Sequence, residues 1–143
     1  MGIGAARRAL ADFLAIARER RSLMSAEATR DNPAVHAMIA RAEIAIRDAE
    51  ARFDRHCDDL DAAAAGSHAM TEREGLIMRA ELTEIMRKMA EIVDGLQLHL
   101  GARGLSMASP LTRPWLDLQA ARVHPGNEPG PSALLAGRAL LDA

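Results

Sequence analysis

Apolar side chains recur along this chain at alternating three- and four-residue steps, the period of a helix that buries one face. Ile3, Ala6, Leu10, Phe13 and Ala17 predict a first helix from about Ile3 to Arg21, whose basic end, Arg18, Arg20 and Arg21, complements the helix dipole. Asn32-Pro33 reads as an N-cap followed by a first-turn proline. Behind it the stripe Val35, Ile39, Ala42, Ile46, Ala49, Phe53, His56 and Leu60 predicts a long second helix on one buried face, with Gly66 as its stop. Thr71 and Glu74 have the spacing of a capping box. They open a third helix whose stripe is Met78, Leu82, Ile85, Met89, Ile92, Leu96 and His99. Two stripes of similar length across a short connection predict two long helices packed antiparallel.

Gly101 and Gly104 bracket a predicted loop, and Ser109-Pro110 opens a fourth helix carrying Leu111, Trp115, Leu118 and Ala121. The run from Pro125 to Pro131 is expected to be irregular, because prolines remove backbone donors and fix φ. A short closing helix follows, from about Ser132 to Leu141. The expected fold is all-α: one up-and-down antiparallel helical bundle over residues 1–143, with four main helices and a short C-terminal one.

Composition supports that reading. Hydrophobic residues make up 49% of the chain and charged residues 27%, the balance of a folded domain. Aromatics are only 2%, so Leu, Ile, Ala and Met must build the core, which suits helices. Eighteen basic and 20 acidic residues nearly cancel, so no nucleic-acid-binding face is expected. No apolar run reaches the length of a membrane span. Cys57 stands alone, which excludes a disulfide framework and a cysteine metal site, and a cytoplasmic protein is expected. Arg7-Arg8 before Ala9-Leu10-Ala11 has the outline of an export signal, but Asp12 interrupts the apolar stretch and an amphipathic helix is the better reading.

Histidine is the side chain best suited to proton transfer near neutral pH. A di-iron bundle needs Glu-x-x-His on two helices. Here the residues three before His36, His56, His68, His99 and His124 are Pro33, Phe53, Ala65, Leu96 and Ala121, so no metal site is expected. His56 and His99 fall on the buried stripes. They read as end-of-helix histidines bonded to a carbonyl or water, or, more sharply, as two groups that meet and line a pocket with Cys57. The acidic group Asp58, Asp59 and Asp61 reads as a solvated face. Gly101-Ala-Arg-Gly104 is too short for a phosphate loop alone, although its amides can approach a phosphate.

Four segments, in order, resemble the C-terminal helical domain of the acyl-CoA dehydrogenase superfamily. They are the Gly101–Gly104 loop, Ser109-Pro110-Leu111-x-Arg113, Asp117-x-x-Ala120-Ala121-x-x-His124, and Gly137-Arg138-Ala139-Leu140-Leu141. The opening Gly2-Ile3-Gly4-Ala5-Ala6, with Ala9-Leu10, is similar to the start of that domain. The branch it resembles most contains flavin-dependent two-component monooxygenases. Counting on from Asp117, the place where many dehydrogenases of the family carry a glutamate base holds Pro125, which cannot abstract a proton. His124 matches a histidine that the monooxygenase branch places near the flavin, where it assists deprotonation of a phenol-like substrate or handling of the hydroperoxide.

The resemblance therefore implies His124 as the catalytic residue, Gly101, Arg103, Gly104 and Asn127 as cofactor contacts, and His99 and Trp115 as pocket residues. The cofactor it implies is FAD or FMN, held only when another chain completes the site, because family members also carry an N-terminal helical domain and a β-domain. Partners expected on this basis are further copies of the chain, as a dimer or tetramer, and a companion flavoprotein. The alternatives are a non-catalytic bundle for oligomerisation or partner binding, and a flavin-free enzyme that reuses the cleft with His124 and His99 as acid–base groups.

Overall fold

The computed structural model describes residues 2–20 and 28–142. Its helices are α1 (Gly2–Glu19), α2 (Pro33–Ala64), α3 (Glu72–Leu100), α4 (Thr112–Arg122) and α5 (Pro129–Leu141), with single 3-10 turns at Thr29–Asp31, Gly101–Leu105 and Pro125–Asn127. The local signals act as expected. The Asn32 side chain accepts from Ala34 N–H, and Pro33 takes the first helical position, where no intrahelical donor is needed. Thr71 and Glu74 form a reciprocal capping box, with Thr71 Oγ1 accepting from Glu74 N–H and the Glu74 carboxylate accepting from Thr71 N–H. Arg21, assigned above to the end of the first helix, lies outside the described residues.

Cross-helix contacts give each helix its direction. Arg7 bonds Glu43 and Glu50, and Thr29 N–H donates to Arg20 O at 2.9 Å, so α2 runs back along α1. Arg55 meets Glu81 at 3.0 Å, so α3 reverses again. Trp115 reaches Asp94 while Thr112 reaches the Gly104 carbonyl, so α4 descends beside α3. The result is the expected up-down-up-down bundle. Helix α3 is its centre, packing against α1, α2, α4 and α5. The largest fully buried side chains are Phe13, Ile46, Met89, Leu96, Leu111, Leu118, Val35 and Val93, drawn from all four main helices.

Several expectations need correction. The stripes do not stay buried to their ends. Phe53 is 46% exposed, Leu60 50% and Leu82 37%, because α1 begins level with Met86 and leaves the far ends of α2 and α3 without that cover. His99 also lies on an exposed position. Conversely, Thr83, Ala90, Val93, Gln97 and Leu100 are buried although they lie off the predicted stripe, since a central helix has neighbours on several sides. His56 and His99 do not meet. His56 stands 2.8 Å from Glu81, and Glu81 is about 27 Å along α3 from His99 at the helical rise per residue. The Pro125–Pro131 run is not irregular either: it forms a 3-10 turn and then the first turn of α5, where the missing proline donors leave no bond unmade. The predicted Gly101–Gly104 loop is itself a 3-10 turn. The fourth helix begins at Thr112, after a turn closed by Thr112 N–H donating to Ser109 O at 3.1 Å.

Candidate functional site

Asp94, Gln97, Leu98 and Gly101 follow one another at helical spacing and so share one face at the end of α3. With Ala102, Leu105 and Trp115 they line an open crevice of about 440 Å³. Its walls are mainly apolar, and Leu98 and Leu105 are exposed by 80% and 56%. One side is held by Asp94. Its Oδ1 accepts from the Trp115 indole N–H and from the Gln119 amide, each at 2.7 Å, and its Oδ2 accepts from Arg122 at 3.1 Å. A single carboxylate on α3 thereby orients the indole and ties down α4.

The two glycines bracketing the turn do different things. Gly101 ends α3 with φ +63° and ψ −155°, a conformation that essentially only glycine adopts without strain, and no atom lies within 4 Å of where a Cβ would stand. Gly104 is buried, and a Cβ there would lie 2.7 Å from Leu100 Cβ and 3.3 Å from Gln97 O. Its carbonyl accepts from Thr112 Oγ1 at 2.9 Å and from Gln97 Nε2. Gly101 thus borders open space and Gly104 lies inside the packing. Of Arg103 the structure describes the backbone, within the 3-10 turn.

His124 and Asn127 lie elsewhere, in the turn that joins α4 to α5. Asn127 Nδ2 donates to Ala121 O at 2.8 Å, capping the end of α4, and the His124 ring accepts from Gly126 N–H at 3.1 Å. From Trp115 to His124 is about 14 Å along the helical axis. His99 sits apart from both, its ring meeting Phe13 edge-on at 5.8 Å and its carbonyl accepting from Arg20 at 3.4 Å. Partial burial, and then the Arg20 charge, push its imidazole below the ordinary range. Of the residues singled out in the sequence, Gly101 and Trp115 share the crevice, and the others are distributed along the bundle.

Sequence reasoning missed Asp94 and Gln97. The signal was present in the spacing 94, 97, 98 and 101, but it placed a carboxylate and an amide on a helix read for one apolar stripe only. Among the described residues, no group of three or more His, Cys, Asp or Glu side chains is placed to hold a metal ion, and no helix is long and apolar enough to cross a membrane.

Comparison with known proteins decides the family. The model of the acyl-CoA dehydrogenase C-terminal domain matches residues 1–129. This chain belongs to that family. It is 31% identical over 125 residues to an indole-3-acetate monooxygenase from Pseudomonas putida, a match covering 87% of this chain and 32% of that protein. Among solved structures it resembles XiaF from a Streptomyces species, determined in complex with FADH2 and glycerol, at a TM-score of 0.91 and 24% identity. It also resembles a 3-HSA hydroxylase from Rhodococcus sp. RHA1 at 0.85 and 23%, and the HsaA monooxygenase of M. tuberculosis at 0.84 and 23%. Each structural match covers 99% of this chain, against 36%, 35% and 35% of the other. The chain thus spans about a third of the length of these relatives, and at such identities the structural likeness establishes the fold.

Proposed function

We propose that this chain is the helical part of a flavin-dependent monooxygenase, whose flavin site is completed by further polypeptide. The observation that carries the reading is His124-Pro125, where the family resemblance, counted on from Asp117, implies the glutamate base of the dehydrogenases at the proline. Proline at that position cannot act as the usual base for α-proton abstraction. The similarity to a monooxygenase over 87% of the chain agrees with this.

The residues suit part of a flavin nucleotide. The crevice offers apolar walls, the Trp115 ring and unobstructed backbone at Gly101. When bound, a reduced flavin supplies the electrons that activate dioxygen. The chain's own residues then have two tasks: Asp94 holds Trp115 in place along the crevice, and His124 addresses the substrate from the α4–α5 turn. Asn127 and the Gly101–Gly104 turn act at the edges of the site. Copies of the chain assemble as a dimer or tetramer in the cytoplasm, and a companion flavoprotein or attached domains supply the rest.

Trp115 is the chain's only tryptophan, so its fluorescence reports on the crevice. Titration of the chain with FADH2 under argon is expected to quench that emission weakly, and more tightly once the completing polypeptide is added. Unchanged Trp115 emission and no flavin-dependent oxygen insertion in the completed protein would leave a purely structural bundle.

A further inference from the structure

We infer that the backbone N–H of Gly126 fixes the tautomer of His124, so that the neutral ring presents an Nε2–H donor toward a substrate oxygen instead of a base. The inference rests on the proposed function for its substrate, and on the turn itself for its geometry. Between Ala121 and Glu128 the backbone is closed on itself. His124 N–H donates to Ala121 O at 3.2 Å, Asn127 N–H donates to His124 O at 2.8 Å, and Asn127 Nδ2 donates to Ala121 O at 2.8 Å. Pro125 has no N–H, so the next amide after the histidine is that of Gly126, which donates to His124 Nδ1 at 3.1 Å.

An amide N–H can only donate. Nδ1 must therefore carry its lone pair, and the one proton of a neutral imidazole belongs on Nε2. A Cβ at 126 would lie 3.1 Å from Nδ1 and 3.3 Å from Cε1, a tight contact that glycine avoids and that a larger residue relieves by shifting the ring a few tenths of an ångström. His124 is solvent-exposed, and its Nε2 makes no hydrogen bond among the described residues, which leaves that donor available to a ligand. A donor pairs with an acceptor. The ring thus selects a substrate that arrives with an ionised or carbonyl oxygen, such as a phenolate or carboxylate, and does not itself take the proton from a phenol. Gly126 is a positioning residue for this role.

The test begins with long-range proton–nitrogen correlation spectra of the isotope-labelled chain at about pH 9, above the ordinary imidazole range. His124→Gln identifies the His124 signals by their loss. The expected pattern is an unprotonated Nδ1 and a protonated Nε2. A protonated Nδ1, or shifts averaged between the two forms, would overturn the inference. Gly126→Ala is expected to average those shifts while leaving the helical circular dichroism unchanged. A tautomer still locked in that variant would remove Gly126 from the role. In the completed enzyme, His124→Gln retains an amide donor and is expected to keep turnover within about tenfold, whereas His124→Ala loses about 10²–10³. Equal losses of that size in both variants would identify a base and refute the donor. Absence of turnover in the completed wild type would refute the functional reading, while the spectra would still decide the tautomer.

Discussion

At the scale of single residues, Gly101 and Gly104 show how one pair of glycines serves two physical needs. Alanine at 101 meets no neighbour but must adopt a backbone conformation that L side chains resist; alanine at 104 meets Leu100 and Gln97 inside the packing. Each substitution is expected to cost about 1–3 kcal/mol, from strain in the first case and overpacking in the second. Thermal melts of both variants without flavin check this, and unchanged midpoints would show that neither strain at 101 nor overpacking at 104 limits stability. His99 carries a pH signature. Its imidazole lies below the ordinary 6.5 in the folded state, from desolvation first and Arg20 second, so the folded chain binds fewer protons there than the unfolded chain. Stability from this group is therefore whole above 6.5 and is lost as pH falls through 6.5 toward the depressed value. The melting temperature of the wild type should fall more steeply between about pH 7.5 and pH 5 than that of His99→Gln. Parallel slopes would show that His99 contributes no such coupling.

At the scale of elements, the long helices are held by local chemistry as well as by the core. Thr71 caps α3 through a bond to Glu74 N–H, and backbone and side-chain bonds from Thr71 lower the Glu74 carboxyl below its usual range. Thr71→Ala should lower stability by about 0.5–2 kcal/mol in denaturant titrations, the usual cost of losing an N-cap. A variant as stable as the wild type would mean that α3 is fixed by packing alone. Capping and period are local properties, which is why Asn32-Pro33, Thr71–Glu74 and the two long stripes were legible from the sequence. What was not legible depends on neighbours. Phe53 and Leu60 continue the α2 stripe in perfect register, yet they end up exposed because α1 starts level with Met86. The prolines from 125 to 131 marked a boundary correctly but not its form, since the first turn of a helix tolerates them. The site was legible only in part: Trp115 and Gly101 share the crevice, whereas Asp94, which orients the indole, is an acidic residue that no motif singles out.

At the scale of the whole molecule, the described surface retains more apolar side chain than its core needs. Leu98 is 80% exposed, Met107 79%, Val123 75%, Leu134 57% and Leu141 86%. Leu134 and Leu141, seven residues apart, share one side of α5, while Ser132 and Ala136 are buried on another. Scattered apolar residues are ordinary on a protein surface, but a helix that presents leucines outward along two turns is the kind of surface that associates. Salt does little to such contacts, since they carry no charge, and dilution acts through mass action alone. The isolated chain is therefore expected to form a dimer or tetramer at tens of micromolar, measured by light scattering, with little change on adding salt. Leu134→Glu combined with Leu141→Glu places like charges where copies would meet, and should shift the species toward monomer with helical content intact. A monomeric wild type would assign the apolar surface to the remaining two thirds of the family's fold instead of to a second copy. If the wild type associates and the double variant does so equally, the interface lies at another exposed group, of which Phe53 and Leu60 at the uncovered end of α2 are the next to substitute.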